Sequence, residues 1–184
     1  MNWTIPGTTL ADQWDNADRV DAMFHSMFLA GGMVLSQVSS ITGLEAYTIQ
    51  NWVKRGFLAP PKNKKYDQEQ VCRIITINML KGALPLEKIC SLMQYIDGDL
   101  TDESDDIVND SDLYNYFVNL LAMMSGHFPD EDEIKTHIRY ITDEFNEPRP
   151  GGRKRLALVL EIMLFTHYSA NMRRHADELV QHLD

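Results

Sequence analysis

Apolar residues recur at helical spacing through most of the chain, and glycine, proline and acidic runs punctuate them. From Asp15 to Met33 the apolar positions are Val20, Met23, Phe24, Met27, Phe28 and Leu29, one stripe of a helix stopped by Gly31 and Gly32. The preceding residues, MNWTIPGTTLADQW, hold no period and read as an arm that packs on the chain or swaps onto a partner. Leu35, Val38 and Ile41 mark a second, shorter helix over Val34–Thr42. Gly43 follows as a C-cap able to take positive φ. A third helix is expected from about Glu45 to Arg55, with Ile49, Trp52 and Val53 inward and Gly56 as its stop. Two short helices joined through a glycine turn are the pattern of a helix-turn-helix.

Pro60 and Pro61 exclude helix from the next ten residues, so Phe57–Tyr66 is expected as an extended loop or minimal hairpin. Asp67 and Gln70 have capping-box spacing and open an apolar helix through Val71, Ile74, Ile75, Ile77, Met79 and Leu80, closed by Gly82. A further helix spans Leu86–Ile96 after Pro85. Residues 97–112 hold eight acids and little apolar content, which predicts a solvated linker and a domain boundary. Beyond it, Leu113–Met124 is helical. A helix with acids in its first turn then ends near Phe145, and Leu156–Leu183 forms one long helix, apolar nearly all round in its first half. No heptad series is read in it.

Charge is distributed unevenly. The 184-residue chain carries a net charge of -10, which disfavours polyanions as partners of the whole molecule. Between Ser36 and Cys90, however, eight bases face four acids, and the rest holds nine bases against 23 acids. Cys72 and Cys90 have no metal-binding or disulfide spacing and read as buried thiols in a reducing compartment. No run of apolar residues is long enough to span a bilayer, and a cytoplasmic protein is expected.

Motifs for catalysis are missing. The chain has no glycine-rich phosphate loop, GxSxG or HExxH. His167, His175 and His182 are spaced too widely on one helix for a metal site, and the acidic run from Asp97 to Asp106 lacks the central glycine of a calcium loop. The expectation is therefore no enzyme, no cofactor and no metal.

The basic segment is where patterns agree. With Ile49, Trp52 and Val53 inward, Tyr47, Gln50, Asn51 and Lys54 share the opposite face of the third helix. Gln and Asn can pair with adenine, Lys reaches guanine or phosphate, Thr48 can touch phosphate or a methyl, and Tyr47 can stack or bond a phosphate oxygen. Arg55 and the loop lysines Lys62, Lys64 and Lys65 complete the candidate DNA-binding set.

The order LSQVSSITGL (Leu35–Leu44), TIQNWVKRGFL (Thr48–Leu58), Pro60-Pro61, YDQEQV (Tyr66–Val71) and LPLEKI (Leu84–Ile89) resembles the DNA-binding domain of MerR-type regulators. That resemblance implies a helix-turn-helix over Gln37–Thr42 and Ala46–Arg55, with a wing at Ala59–Tyr66. The supporting helices would be Asp67–Gly82 and Leu86–Ile96. Gln50, Asn51 and Trp52 stand where the MerR pattern has an arginine before two tyrosines. The chain is also similar, at Thr48–Gly56, at Pro60–Tyr66 and at Met79-Leu80-Lys81, to an uncharacterised bacterial family, domain of unknown function 1836.

The expected architecture is all-α, a MerR-like winged helix-turn-helix head with a helical N-terminal and C-terminal body. Residues 1–33 would pack on the body, 34–96 form the head, 97–112 the acidic linker, and 113–184 an oligomerisation or sensing body. The expected function is a DNA-binding transcriptional regulator, a homodimer on double-stranded DNA with a small-molecule effector of unknown identity. The alternative is a non-enzymatic protein-interaction adaptor that keeps the MerR-like fold without binding DNA.

Overall fold

A helix that is apolar on one stripe must cover it with a neighbour, whereas one apolar all round must lie at the centre. The second case is α4, Gln68–Leu80, in which every residue from Gln70 to Ile77 is buried, as are Met79 and Leu80. In the computed structural model, which describes residues 4–11, 17–98, 100, 104–124 and 129–183, the other helices pack on or around it. They are α1 (Ala17–Phe28), α2 (Leu35–Thr42), α3 (Ala46–Lys54), α5 (Leu86–Asp97), α6 (Asp110–Met123), α7 (Glu131–Ile141) and α8 (Gly152–Val180). The strands β1 (Met33–Val34) and β2 (Lys65–Tyr66) pair antiparallel, with Met33 opposite Tyr66 and Val34 opposite Lys65. The chain is thus all-α apart from this short ribbon.

Local chemistry sets most boundaries. Asp67 accepts the Gln70 N–H at 2.9 Å while Gln70 Oε1 accepts the Asp67 N–H, so the predicted capping box opens α4. Gly43 ends α2 at φ 68°, a conformation that lets its N–H reach Ser39 O and turns the chain into α3. Asn109 caps α6 by accepting the Asp112 N–H at 2.7 Å, so the helix begins at Asp110, three residues before the expected start. The helix α8 likewise starts at Gly152 rather than Leu156, and α7 stops at Ile141 rather than near Phe145.

The acidic stretch 97–112 differs from a solvated linker among its described residues. Asp97 is the last residue of α5 and is buried, Ile107 and Val108 are buried, and Asp110 to Asp112 form the first turn of α6. The alternation of acids hid two apolar anchors, and two of the acids, Asp97 and Asp110, share a single arginine of α4. Asp99 and residues 101–103 lie outside the described residues, as do residues 1–3 and 12–16 of the arm and the start of the first helix.

One hydrophobic cluster joins everything from Ile5 to Leu164. The arm packs on its own chain, with Ile5 buried, the Tyr114 hydroxyl donating to Pro6 O at 2.8 Å and Asn78 Nδ2 donating to Gly7 O at 2.9 Å. The helix α1 lies against α6, where Phe24 meets Tyr114 edge to face at 5.6 Å. Four helices, α4, α5, α6 and α7, pack against α8.

Candidate nucleic-acid interface

Ile49 and Trp52 are buried and fix the rotation of α3 about its axis. Tyr47, Gln50 and Lys54 consequently face solvent, and Thr48 and Asn51 are half-buried at the edges of that face. Tyr47 is 77% exposed, unusual for a tyrosine whose ring has no cover in the fold. The amphipathic reading of the sequence placed this face correctly because a nine-residue helix offers only one apolar stripe.

Arg55 is placed differently from its neighbours. As the C-cap of α3 it turns back onto α5, where Nη2 lies 2.5 Å from Glu87 Oε1, and its guanidinium stacks 4.4 Å from the centre of the Phe57 ring. The Glu87 carboxyl sits below its usual range, through its own backbone hydrogen bond and then through Arg55. Part of the charge of Arg55 is therefore spent within the fold, and its planar group is aligned by a ring.

The loop 57–66 folds into the smallest possible hairpin. Lys65 N–H donates to Lys62 O at 2.9 Å, and the two residues between, Asn63 and Lys64, have φ of 52° and 64°. Two successive positive φ values are those of a type I′ turn, the two-residue connection whose twist matches a strand pair. Asn tolerates this region, whereas Lys stores strain of about 1 kcal/mol there. Lys62, Lys64 and Lys65 are all exposed around the turn. The base of the hairpin is held firmly, with Tyr66 buried and Gln70 Nε2 donating to Ala59 O at 3.0 Å and Pro60 O at 3.1 Å.

A polar cluster behind this hairpin was not read from the sequence. Arg73, buried on α4, donates from Nε to Phe57 O at 3.0 Å. Its Nη1 pairs with Asp97 at the end of α5 and with Asp110 at the start of α6, the latter at 3.3 Å. Beside it, Ser111 donates to Glu69 through its N–H at 2.8 Å and its hydroxyl at 2.5 Å. One cation thus serves two buried carboxylates, and Asp97 Oδ1 has no hydrogen-bond partner. Burial pushes the Asp110 carboxyl up to about 7 against the pull of Arg73, and burial also raises Asp97. The visible signal was Arg73 itself, the one charge in VCRIITINML, which a buried helix must pair.

Among the described residues, no group of three or more His, Cys, Asp or Glu side chains gathers to hold an ion. Cys72 is buried and Cys90 half-buried, both are free, and burial raises both thiols away from the reactive thiolate form. His167 faces the Phe117 ring at 5.7 Å, and its Nε2 lies 2.9 Å from Asn171 Nδ2. Burial lowers its pKa to about 4, so it is a neutral core imidazole. Two open clefts, of about 380 and 550 Å³, lie beside Met27, Gln37 and Lys65, and between Lys81 and the Arg173–Gln181 stretch of α8.

The profile of the domain of unknown function DUF1836 matches residues 19–117, more than half of the chain. The chain belongs to the DUF1836 family. Uncharacterized protein YkrK of Bacillus subtilis (strain 168) is 26% identical over 118 residues, which are 61% of this chain and 50% of that protein. The chain therefore spans about half the length of that relative. No solved structure matches. The DUF1836 match contains the α3 face, the lysine hairpin and all the members of the Arg73 cluster, and it leaves α7 and α8 outside. Among the described residues, no helix is long and apolar enough to cross a membrane.

Proposed function

We propose that this DUF1836 protein is a DNA-binding transcriptional regulator with a MerR-like winged helix-turn-helix head. The observation that carries the reading is the succession in sequence of a polar outer face on α3 and a lysine-tipped hairpin, both elements packed on α2, in a chain otherwise strongly acidic. In this reading α3 enters the major groove with Tyr47, Gln50, Asn51 and Lys54 toward the base edges and Thr48 on a phosphate. The hairpin lies along the backbone, where Lys62, Lys64 and Lys65 act as point charges. Arg55 serves as a rim charge, since Glu87 and Phe57 already hold it. Chemistry is not part of the proposal, and the role is binding without an enzymatic step in a cytoplasmic setting.

A specific observation favours the second reading, an adaptor that binds a protein rather than DNA. The one arginine beside the α3 face is paired within the fold, which leaves lysines without a fork-shaped anchor for phosphate. Binding of labelled genomic fragments across a salt series separates the two. If about five phosphates are neutralised per head, log affinity falls against log salt with a slope near -4 to -5. Retention of a protein partner after nuclease digestion, with no DNA binding at low salt, favours the adaptor.

A further inference from the structure

The smaller of the two clefts, about 380 Å³, lies between the turn after α1, the strand β1, α2 and the strand β2. Its wall is backbone. A Cβ on Gly32 would lie 2.5 Å from Tyr66 O, so β2 rests directly on the chain there, and Gly31 takes φ 91°. Lys65 follows this wall, with its ammonium 3.8 Å from where a Gly31 Cβ would sit. Of the three hairpin lysines, Lys65 alone is among the described residues that line the cleft.

The rest of the lining separates into an apolar floor and a rim of donors. Met27, Met33 and Ile41 form the floor, where two flexible thioether chains adapt to what lies above them. Gln37 and Ser40, three residues apart on α2, stand with Lys65 on the exposed rim. Gln37 Oε1 accepts the Val34 N–H at 2.9 Å, which fixes the amide and leaves Nε2 to donate. The Ser40 hydroxyl and the Lys65 ammonium have no hydrogen-bond or ion-pair partner among the described residues. No aspartate or glutamate stands among the described residues of the lining. At the end of α1, Ser26 O and Phe28 O already accept the N–H groups of Leu29 and Gly31, so those carbonyls do not hold the ammonium.

We propose that this cleft binds a small organic carboxylate whose apolar body has on the order of eight carbons. The carboxylate accepts from Lys65 Nζ, Gln37 Nε2 and the Ser40 hydroxyl, and the body lies on Met27, Met33 and Ile41. One ammonium with two neutral donors matches a single negative charge. A phosphate ester, with a charge of about -2, calls for a guanidinium fork or a second cation. The site stands whether or not the head binds DNA. Only its consequence rests on that reading, in which a carboxylate on Lys65 removes one phosphate contact and lowers the salt slope by about 1.

Methionine-methyl NMR of the full chain, without DNA, tests the site with octanoate as the probe. The expected result is a saturable shift of the Met27 and Met33 methyls and the Gly31 and Gly32 amides, with a dissociation constant below ~1 mM. Acetate carries the charge without the body and octanol the body without the charge, and each should bind at least about 10-fold more weakly. Lys65→Gln should weaken octanoate about 10-fold or more, whereas Lys64→Gln, on the same turn, should change it by less than about 2-fold. The methyls of the other eight of the ten methionines check that each variant is folded. The proposal is overturned by no saturable shift at ~5 mM octanoate, or by an equal shift at the exposed Met172. Octanol binding as tightly as octanoate, or equal effects of Lys64→Gln and Lys65→Gln, overturns it too.

Discussion

Arg73 on α4 and Asp110 at the start of α6 meet at 3.3 Å with side chains only 6% and 13% exposed, across 37 residues of sequence. Because Asp97 claims the same guanidinium, the site holds more negative than positive charge, and burial pushes Asp110 up to about 7. The folded protein therefore keeps a proton on Asp110 between about pH 4 and 7 that the unfolded chain has released. Stability from this group is fully present at low pH and is lost as pH rises through 7. Urea unfolding at pH 5.5 and 8 should show this loss, roughly 1–3 kcal/mol, and Asp110→Asn should flatten it while raising stability at pH 8. A wild-type stability that rises with pH over this interval contradicts the assignment.

Removing the cation has the opposite effect. Arg73→Met leaves Asp97 and Asp110 buried without a partner and frees Phe57 O at the root of the lysine hairpin. A cost of about 3–5 kcal/mol is expected at pH 8, reduced at pH 5.5 where the carboxyls take up protons. Denaturant midpoints at the two pH values measure it.

His167 titrates the other way. Its pKa is lowered to about 4, so its contribution is present above the unfolded value of 6.5 and is lost as pH falls toward 4. The ring resonances of His167 in a two-dimensional NMR titration should show no protonation between pH 5.5 and 8. A midpoint near 6.5 would mean that the ring is solvated rather than packed on Phe117.

The contrast between these sites and α3 explains what was legible beforehand. The outward positions of Tyr47, Gln50 and Lys54 follow from local periodicity, because Ile49 and Trp52 leave α3 only one way to turn. The bracing of the hairpin does not, since Arg73 finds its partners 24 and 37 residues away in a segment whose composition reads as solvated. Gly43 and the Pro60-Pro61 pair located the turn and the hairpin, but no local signal marked the commitment of Arg55 to Glu87.

The hairpin tip allows strain and charge to be separated. Lys64 occupies the left-handed region at φ 64°, where glycine is at ease. Lys64→Gly should leave stability unchanged or raise it by about 0.5–1 kcal/mol while weakening DNA binding and reducing the salt slope by about 1. Thermal melts and anisotropy on the same preparation read both quantities.

Gly7 tests the arm. At φ 75°, with Ile75 O only 2.5 Å from where a Cβ would sit, Gly7→Ala should cost about 2–4 kcal/mol and loosen the contact of Pro6 with Tyr114. Chemical denaturation together with protease sensitivity of the N-terminal segment reports the change.

The central claim is that α3 and its lysine hairpin face DNA, and the most direct measurement is fluorescence anisotropy on pooled genomic fragments from 50 to 300 mM salt. The account predicts binding whose logarithm falls with log salt at a slope of about -4 to -5 per head, abolished by Lys64→Glu with Lys65→Glu. Absence of binding at the lowest salt, or binding that survives this double charge reversal undiminished, contradicts it.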